Sequence, residues 1–355
     1  MTTRTLALLT LAGSLITLAP AQADQPKPAA PGAFNPASDV QISSLRERSI
    51  GVLTEMLTSQ APELRANALE GLLLAPQRLE QAVSAGLKDQ SIGVRTVAAL
   101  AVGKAKLNKL LPEVKPLLGE KNEFIQMGAI FAFAKCGSNV NQSPLAGFLL
   151  QGESPKIKAQ AAFILGELGN RSALGLLRDA SKMPMGRSDP NEDRLMRLQI
   201  AEAMVKLGDE SAINEIRAAL YPASPDALEA FALATQILGQ LRDRNSVASL
   251  IEVTQRRDGG ANANANTGNA LPAEIRLGAA ASLSRMGHDA TFVADELIRS
   301  VEPPIRAQCA YVIGESRKRE NLAKLIPLLD DASQQVRISA ATAALKIIDG
   351  EPAPK

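Results

Sequence analysis

KAQAAFILGE at residues 158–167 and RAQCAYVIGE at residues 306–315 are one pattern written twice: a cation, Ala-Gln, an aromatic, two aliphatics and Gly-Glu. The copies lie 148 residues apart, 306 minus 158, and the same register fills the interval and continues beyond it. Each copy opens on an apolar residue followed by a usually basic one: Leu64-Arg65, Val94-Arg95, Ile125-Gln126, Ile157-Lys158, Met196-Arg197, Ala230-Phe231, Ile275-Arg276, Ile305-Arg306 and Val336-Arg337. The two longest steps, 158 to 197 and 231 to 276, contain SKMPMGRSDPNED (181–193) and the Gly/Asn-rich DGGANANANTGNALP (258–272), which reads as a flexible surface insertion. Between openings lies a second apolar-periodic stretch, such as PQRLEQAVSAGLKD or NLAKLIPLLDD. Each unit is therefore two short helices joined by a polar turn.

The runs from Asp89 to Gly103 and from Asp331 to Leu345 share D-x-x-x-x-V-R-x-x-A-A-x-A. This organisation resembles HEAT repeats, of the variety also found in phycobilisome-lyase-like proteins. The resemblance implies an all-α fold, an alpha-alpha superhelix of about nine helix pairs over residues 39–348. Gln126 and Phe231 depart from it, since both stand where the usual cation is expected.

The physical logic stands beside the resemblance. One helix pair cannot bury its apolar face alone, so neighbours stack into a continuous core. Hydrophobic residues make up 46% of the 355 residues, yet only 3% are aromatic and there is no Trp. Such a core is built from Ala, Leu, Ile and Val and favours close-packed helices. Gly103, Gly166, Gly239 and Gly314 sit eight residues after the opening position, where backbones would approach closely. Gly137, Gly169, Gly208 and Gly287 sit eleven after, as C-caps would. Neither set forms a phosphate cradle, because the Walker-type Lys and the preceding strand are missing. The recurring cation (Arg65, Arg95, Lys158, Arg197, Arg276, Arg306, Arg337) reads as a structural ladder tying turn to helix, with an acid six positions earlier in Asp89/Arg95 and Asp331/Arg337.

The N-terminus has Arg4, an apolar stretch LALLTLAGSLITLA, and Ala21-Gln22-Ala23 before Asp24. That is the pattern of a cleaved signal peptide, 1–23. No Cys follows, so there is no lipobox, and no later run is long and apolar enough to span a bilayer. The expectation is a periplasmic or secreted protein with a Pro/Ala-rich linker (24–38) and a short C-terminal tail (349–355). Lys plus Arg is 39 against 37 for Asp plus Glu, a balance that argues against nucleic acid as a partner.

No catalytic, metal-binding or cofactor-binding residues emerge. The single His, His288, stands in a turn without companions of metal-ligand spacing. Deoxyhypusine hydroxylase, an oxidoreductase built from HEAT repeats, holds iron with paired His-Glu motifs, but the matching positions read Ala159-Gln160 and Ala307-Gln308. Packed at ~8–10 Å per helix, Glu167 and Glu315 would lie roughly 30–40 Å apart, too far to share one substrate. The same register separates Cys136 from Cys309, so no intramolecular disulfide is expected. Counted from the opening cation, positions +2, +5 and +9 differ most among copies, which makes them the expected partner-binding surface: Gln160, Phe163, Glu167, Phe131, Lys135, Gln308, Tyr311 and Glu315, with Phe131, Phe163 and Tyr311 open to the alternative of filling gaps between adjacent helices. The expectation is a non-enzymatic protein-protein interaction scaffold. Two alternatives stand beside it: a HEAT-type enzyme (chromophore lyase or oxidoreductase), and a cell-envelope component binding polysaccharide.

Overall fold

The computed structural model describes residues 34–183, 189–222, 227–257 and 270–350. The expected signal peptide with Ala21, Ala23 and Asp24, most of the linker, most of the 258–272 insertion and residues 351–355 lie outside them. Eighteen α-helices and no strand occur among the described residues. The chain begins with α1 (Asp39–Met56), α2 (Pro62–Gly71), α3 (Pro76–Gly86), α4 (Ile92–Ala105), α5 (Leu111–Val114) and α6 (Glu123–Lys135). It continues with α7 (Pro144–Gln151), α8 (Pro155–Leu168), α9 (Leu174–Lys182), α10 (Pro190–Lys206), α11 (Ile213–Ala218) and α12 (Leu228–Gln240). Last come α13 (Val247–Gln255), α14 (Ala273–Arg285), α15 (Phe292–Leu297), α16 (Pro303–Glu315), α17 (Leu322–Leu325) and α18 (Gln334–Ile348). All nine opening positions fall in the even-numbered helices, so the fold is a set of HEAT-like helix pairs.

Local signals start these helices where the register requires. Pro62, Pro155, Pro190 and Pro303 stand in the first turn, where a missing N–H costs nothing. Asn122 and Ser154 side chains accept from the backbone N–H groups of Ile125 and Ile157. At the other end, Gly137, Gly169, Gly208 and Gly287 all have positive φ. Lys106, Arg242 and Arg317 take the same left-handed conformation at the same position, without glycine's freedom.

The chain divides into two compact units: a mid-chain unit, residues 79–241, and a terminal unit, residues 34–78 with 242–350. In the mid-chain unit α4 packs on α6, α6 on α8, α8 on α10 and α10 on α12. In the terminal unit α13 packs on α14, α14 on α16 and α16 on α18, and α18 is then covered by α1 and α2. The first helices of the described chain thus pack on its last. Leu53 and Met56 of α1 and Leu345 of α18 are fully buried, and Arg46 pairs with Asp349 at 2.7 Å. A Cβ on Gly71 of α2 would meet Thr342 Oγ1 at 2.5 Å and Leu53 Cδ1 at 2.9 Å, so a larger residue there would displace these side chains.

The eighth-position glycines set the spacing between repeats. A Cβ on Gly166 would lie 2.9 Å from Ala203 Cα, and one on Gly314 would lie 2.8 Å from Ala343 Cα. In each pair the alanine is six residues past the opening of the next repeat, so small residues on both helices let the backbones touch. Arg65, Arg95, Arg197 and Arg306 tie turn to helix as well, though through backbone oxygens. Arg95 Nη1 donates to the carbonyls of Asp89 (2.7 Å) and Gln90 (3.1 Å), and Arg306 Nη1 to those of Ser300 (2.8 Å) and Val301 (3.2 Å). Arg65 does the same with Ser59, and Arg197 with Met183. The carboxylate of the turn serves the preceding repeat instead: Asp331 pairs with Arg306 at 2.7 Å, and Glu120 with Arg95 at 3.9 Å. Arg276 pairs with Glu296, while Arg337, the last of the row, reaches Glu55 of α1 at 3.7 Å.

Candidate functional site

The +2, +5 and +9 positions fall along the seam between successive even-numbered helices, and several are consumed by it. In the mid-chain unit, Lys135 Nζ donates to the Glu167 backbone carbonyl at 2.6 Å, and Glu167 Oε1 accepts from Lys206 Nζ at 2.7 Å. Lys206 also pairs with Glu202 at 2.7 Å and lies 5.6 Å from the centroid of the Phe163 ring. Burial works against the Lys206 charge, but Glu202 and Glu167 outweigh it and raise its pKa.

The terminal unit repeats the arrangement with a deeper anion. Glu315 is fully buried between Arg285 of the preceding repeat and Lys346 of the following one, each at 2.6 Å. Tyr311 shares the site: its hydroxyl is hydrogen-bonded with Arg285, and Lys346 lies 5.7 Å from its ring centroid. Burial alone would raise the Glu315 pKa, but the two cations overcome it and hold the carboxyl down at about 2. Burial and the Glu315 charge push Tyr311 up. At neutral pH Glu315 is therefore ionised and Tyr311 neutral.

The expected surface residues separate under this geometry. Phe131 and Glu315 are fully buried and present nothing to solvent. The Phe131 ring occupies the space a Gly103 Cβ would take, which makes it a packing residue between α4 and α6. Gln160, Phe163, Glu167 and Lys135 stay partly exposed in the mid-chain unit, as do Gln308 and Tyr311 in the terminal unit. Gln160 Nε2 and Gln308 Oε1 are enclosed without a hydrogen-bond partner among the described residues. Glu167 and Glu315 belong to different units, each with its own cations. Cys136 and Cys309 are both free thiols, and burial, with the Asp295 charge behind it, pushes Cys309 up to about 12.

Lys206, Arg285 and Lys346 stand in the same +9 column, but the sequence reading did not pair them with Glu167 and Glu315, although the signal was there. The ninth position reads Lys104, Lys135, Glu167, Lys206 and Gln240 in the mid-chain unit, and Leu74, Arg285, Glu315 and Lys346 in the terminal one. Around Glu167 and Glu315 the sign alternates between neighbouring copies, which is complementarity, and a column read for similarity alone conceals it. Among the described residues, no group of three or more His, Cys, Asp and Glu side chains is placed to hold a metal ion, and no helix is long and apolar enough to cross a membrane.

No family model and no curated protein matches the sequence. Among solved structures it is similar to human deoxyhypusine hydroxylase (17% identity, 87% of this chain and 99% of that one, TM-score 0.34). It is also similar to the CpcE–CpcF complex of phycocyanin lyase from Nostoc (17%, 75% and 94%, TM-score 0.35) and to importin beta (11%, 85% and 46%, TM-score 0.34). Overlaps this loose add nothing to the fold, which rests on the recurring contacts above.

Proposed function

We propose that the protein is an exported, non-enzymatic scaffold that binds another protein. What supports the reading is the state of its ionisable groups. Within the seams, Glu315 is ionised between two cations, Lys206 is charged between two carboxylates, and Tyr311 and Cys309 are neutral, while burial lowers Lys346 against the pull of Glu315. A general acid or base is poised near the working pH, and Glu315, Lys206, Tyr311 and Cys309 are all shifted away from it. The partly exposed side chains of the mid-chain seam, Gln160, Phe163, Glu167 and Lys135, combine an aromatic with polar neighbours on a braced frame, a composition suited to a protein interface. Export rests on the A-x-A pattern before Asp24. The mature chain is expected to start at Asp24 when sequenced from the cell envelope or medium.

The test is photo-crosslinking in living cells from a reactive residue at Gln160, with one at Glu80 on the odd-numbered helix α3 as a control. One protein captured from the first position and not the second supports the scaffold. A bound chromophore in purified material, or capture of glycan alone, would sink it in favour of the enzymatic or envelope reading.

A further inference from the structure

The repeats opening at Ile157 and Ile305 agree where the fold does not ask them to. In the core, Ala161 is matched by Cys309, Ile164 by Val312 and Leu165 by Ile313. At the partly exposed +2 and +5 positions, Gln160 is matched by Gln308 and the Phe163 ring by that of Tyr311. Of the nine copies, only these two join Gln at +2 to an aromatic at +5. Residues three apart on a helix share a face, so α8 and α16 each present an amide beside a ring.

Stacking accounts for the rest of each rung. Glu167 is held by Lys206, and Glu315 by Arg285 and Lys346. Lys206 and Lys346 also lie over the Phe163 and Tyr311 rings. The two glutamines are not accounted for. Neither side chain hydrogen-bonds to a described residue: Gln160 Nε2 and Gln308 Oε1 are enclosed without a partner, while the other atom of each amide is not enclosed. An enclosed, unpaired amide atom works against folding, and leucine would fill the same space without that cost. A residue kept twice at one register, beside the same kind of ring and against the interest of the fold, points to a use outside it.

We propose that these rungs are two equivalent sites, one on each compact unit, and that each pairs with a main-chain amide of an extended, uncharged polypeptide segment. A primary amide is donor and acceptor together, as is a peptide group, so whichever atom turns outward finds its complement. The ring beside it gives the segment's neighbouring side chain an apolar surface. An ionic ligand is disfavoured, because the carboxylate of each rung is already held by a neighbouring repeat. The Gln160 site is the one on which the scaffold reading rests; the second site and the nature of the segment go beyond it.

Photo-crosslinking of the full chain in living cells tests it, with the reactive residue at Gln199 or at Ser339. Each is the +2 residue one repeat further along its seam, so both glutamines stay in place. The expected result is one protein captured from both positions, through like segments poor in charge when the linked peptides are mapped. Gln160→Leu should cut capture at Gln199 about tenfold, and Gln308→Leu should do so at Ser339, the worth of one hydrogen-bonded pair. Both variants should melt no lower than the parent, which a structural role for the amides would not allow. Different proteins at the two positions, charged segments, or capture from Ser339 no greater than from Glu252 on the odd-numbered helix α13 would each overturn the proposal. So would unchanged capture by the leucine variants, or lower melting. No protein captured from Gln160 itself removes the scaffold reading; capture there with none at Ser339 removes only this one.

Discussion

At the scale of single residues, the spacing of the array depends on positions that carry almost no side chain. Gly314 touches the backbone of Ala343, and the atom pressed against is Cα rather than the end of a flexible chain. Gly314→Ala should therefore destabilise the terminal unit by about 1–3 kcal/mol, as overpacking does, measured by urea unfolding. Ser284 holds the equivalent eighth position in the preceding repeat, and its buried hydroxyl has no partner among the described residues. Since it already has a Cβ, Ser284→Ala should fit and stabilise by about 1 kcal/mol, and a lower midpoint would refute this. Both kinds of glycine, the packing set and the capping set, were legible from recurrence alone. Phe131 was legible only as a choice. Its place in the varying fifth column allowed an outward ring or one filling a gap between helices, and the space left by Gly103 draws it inward.

At the scale of elements, the unit of interest is three helices joined by one buried carboxylate. Glu315 has a folded pKa near 2 against an ordinary value of 4.5. A depressed carboxyl contributes stability that is complete above its unfolded pKa and is lost as pH falls through the folded one. The contribution of the α14–α16–α18 seam should accordingly persist down to about pH 4.5 and disappear towards pH 2, on the order of 3 kcal/mol. Acid unfolding compared between the parent and Glu315→Gln checks it: the variant should show a shallower stability slope in that window. At neutral pH the same variant should cost about 3–5 kcal/mol, because Arg285 and Lys346 lose the anion that justifies their burial. An unchanged acid midpoint would remove the seam from the account. The opening arginines taught a related lesson about elements. An acid six residues earlier suggested a pair within one repeat, but geometry gives the guanidinium that residue's carbonyl, and gives the carboxylate to the neighbour's arginine.

At the scale of the whole molecule, the two ends of the described chain lie in one unit. α1 and α2 cover α18, although nearly the whole array separates them in sequence. Leu53 is fully buried in this contact, so Leu53→Ala should cost about 2–5 kcal/mol and speed hydrogen exchange in α18. Arg46→Ala removes a partly exposed ion pair with Asp349 and should cost no more than about 1 kcal/mol. If exchange in α18 is indifferent to Leu53, the cover is not a stabilising one. The sequence by itself determined the helix pairs, their register, their glycine caps and the apolar stripe, because those depend on neighbours three, four or eleven residues away. Only the tertiary structure decided which outward positions were free. Whether Glu167, Phe163 or Arg337 faces solvent depends on the residue that the next helix, or α1 from the far end of the chain, sets against it. That complementarity between copies is invisible until the copies are stacked.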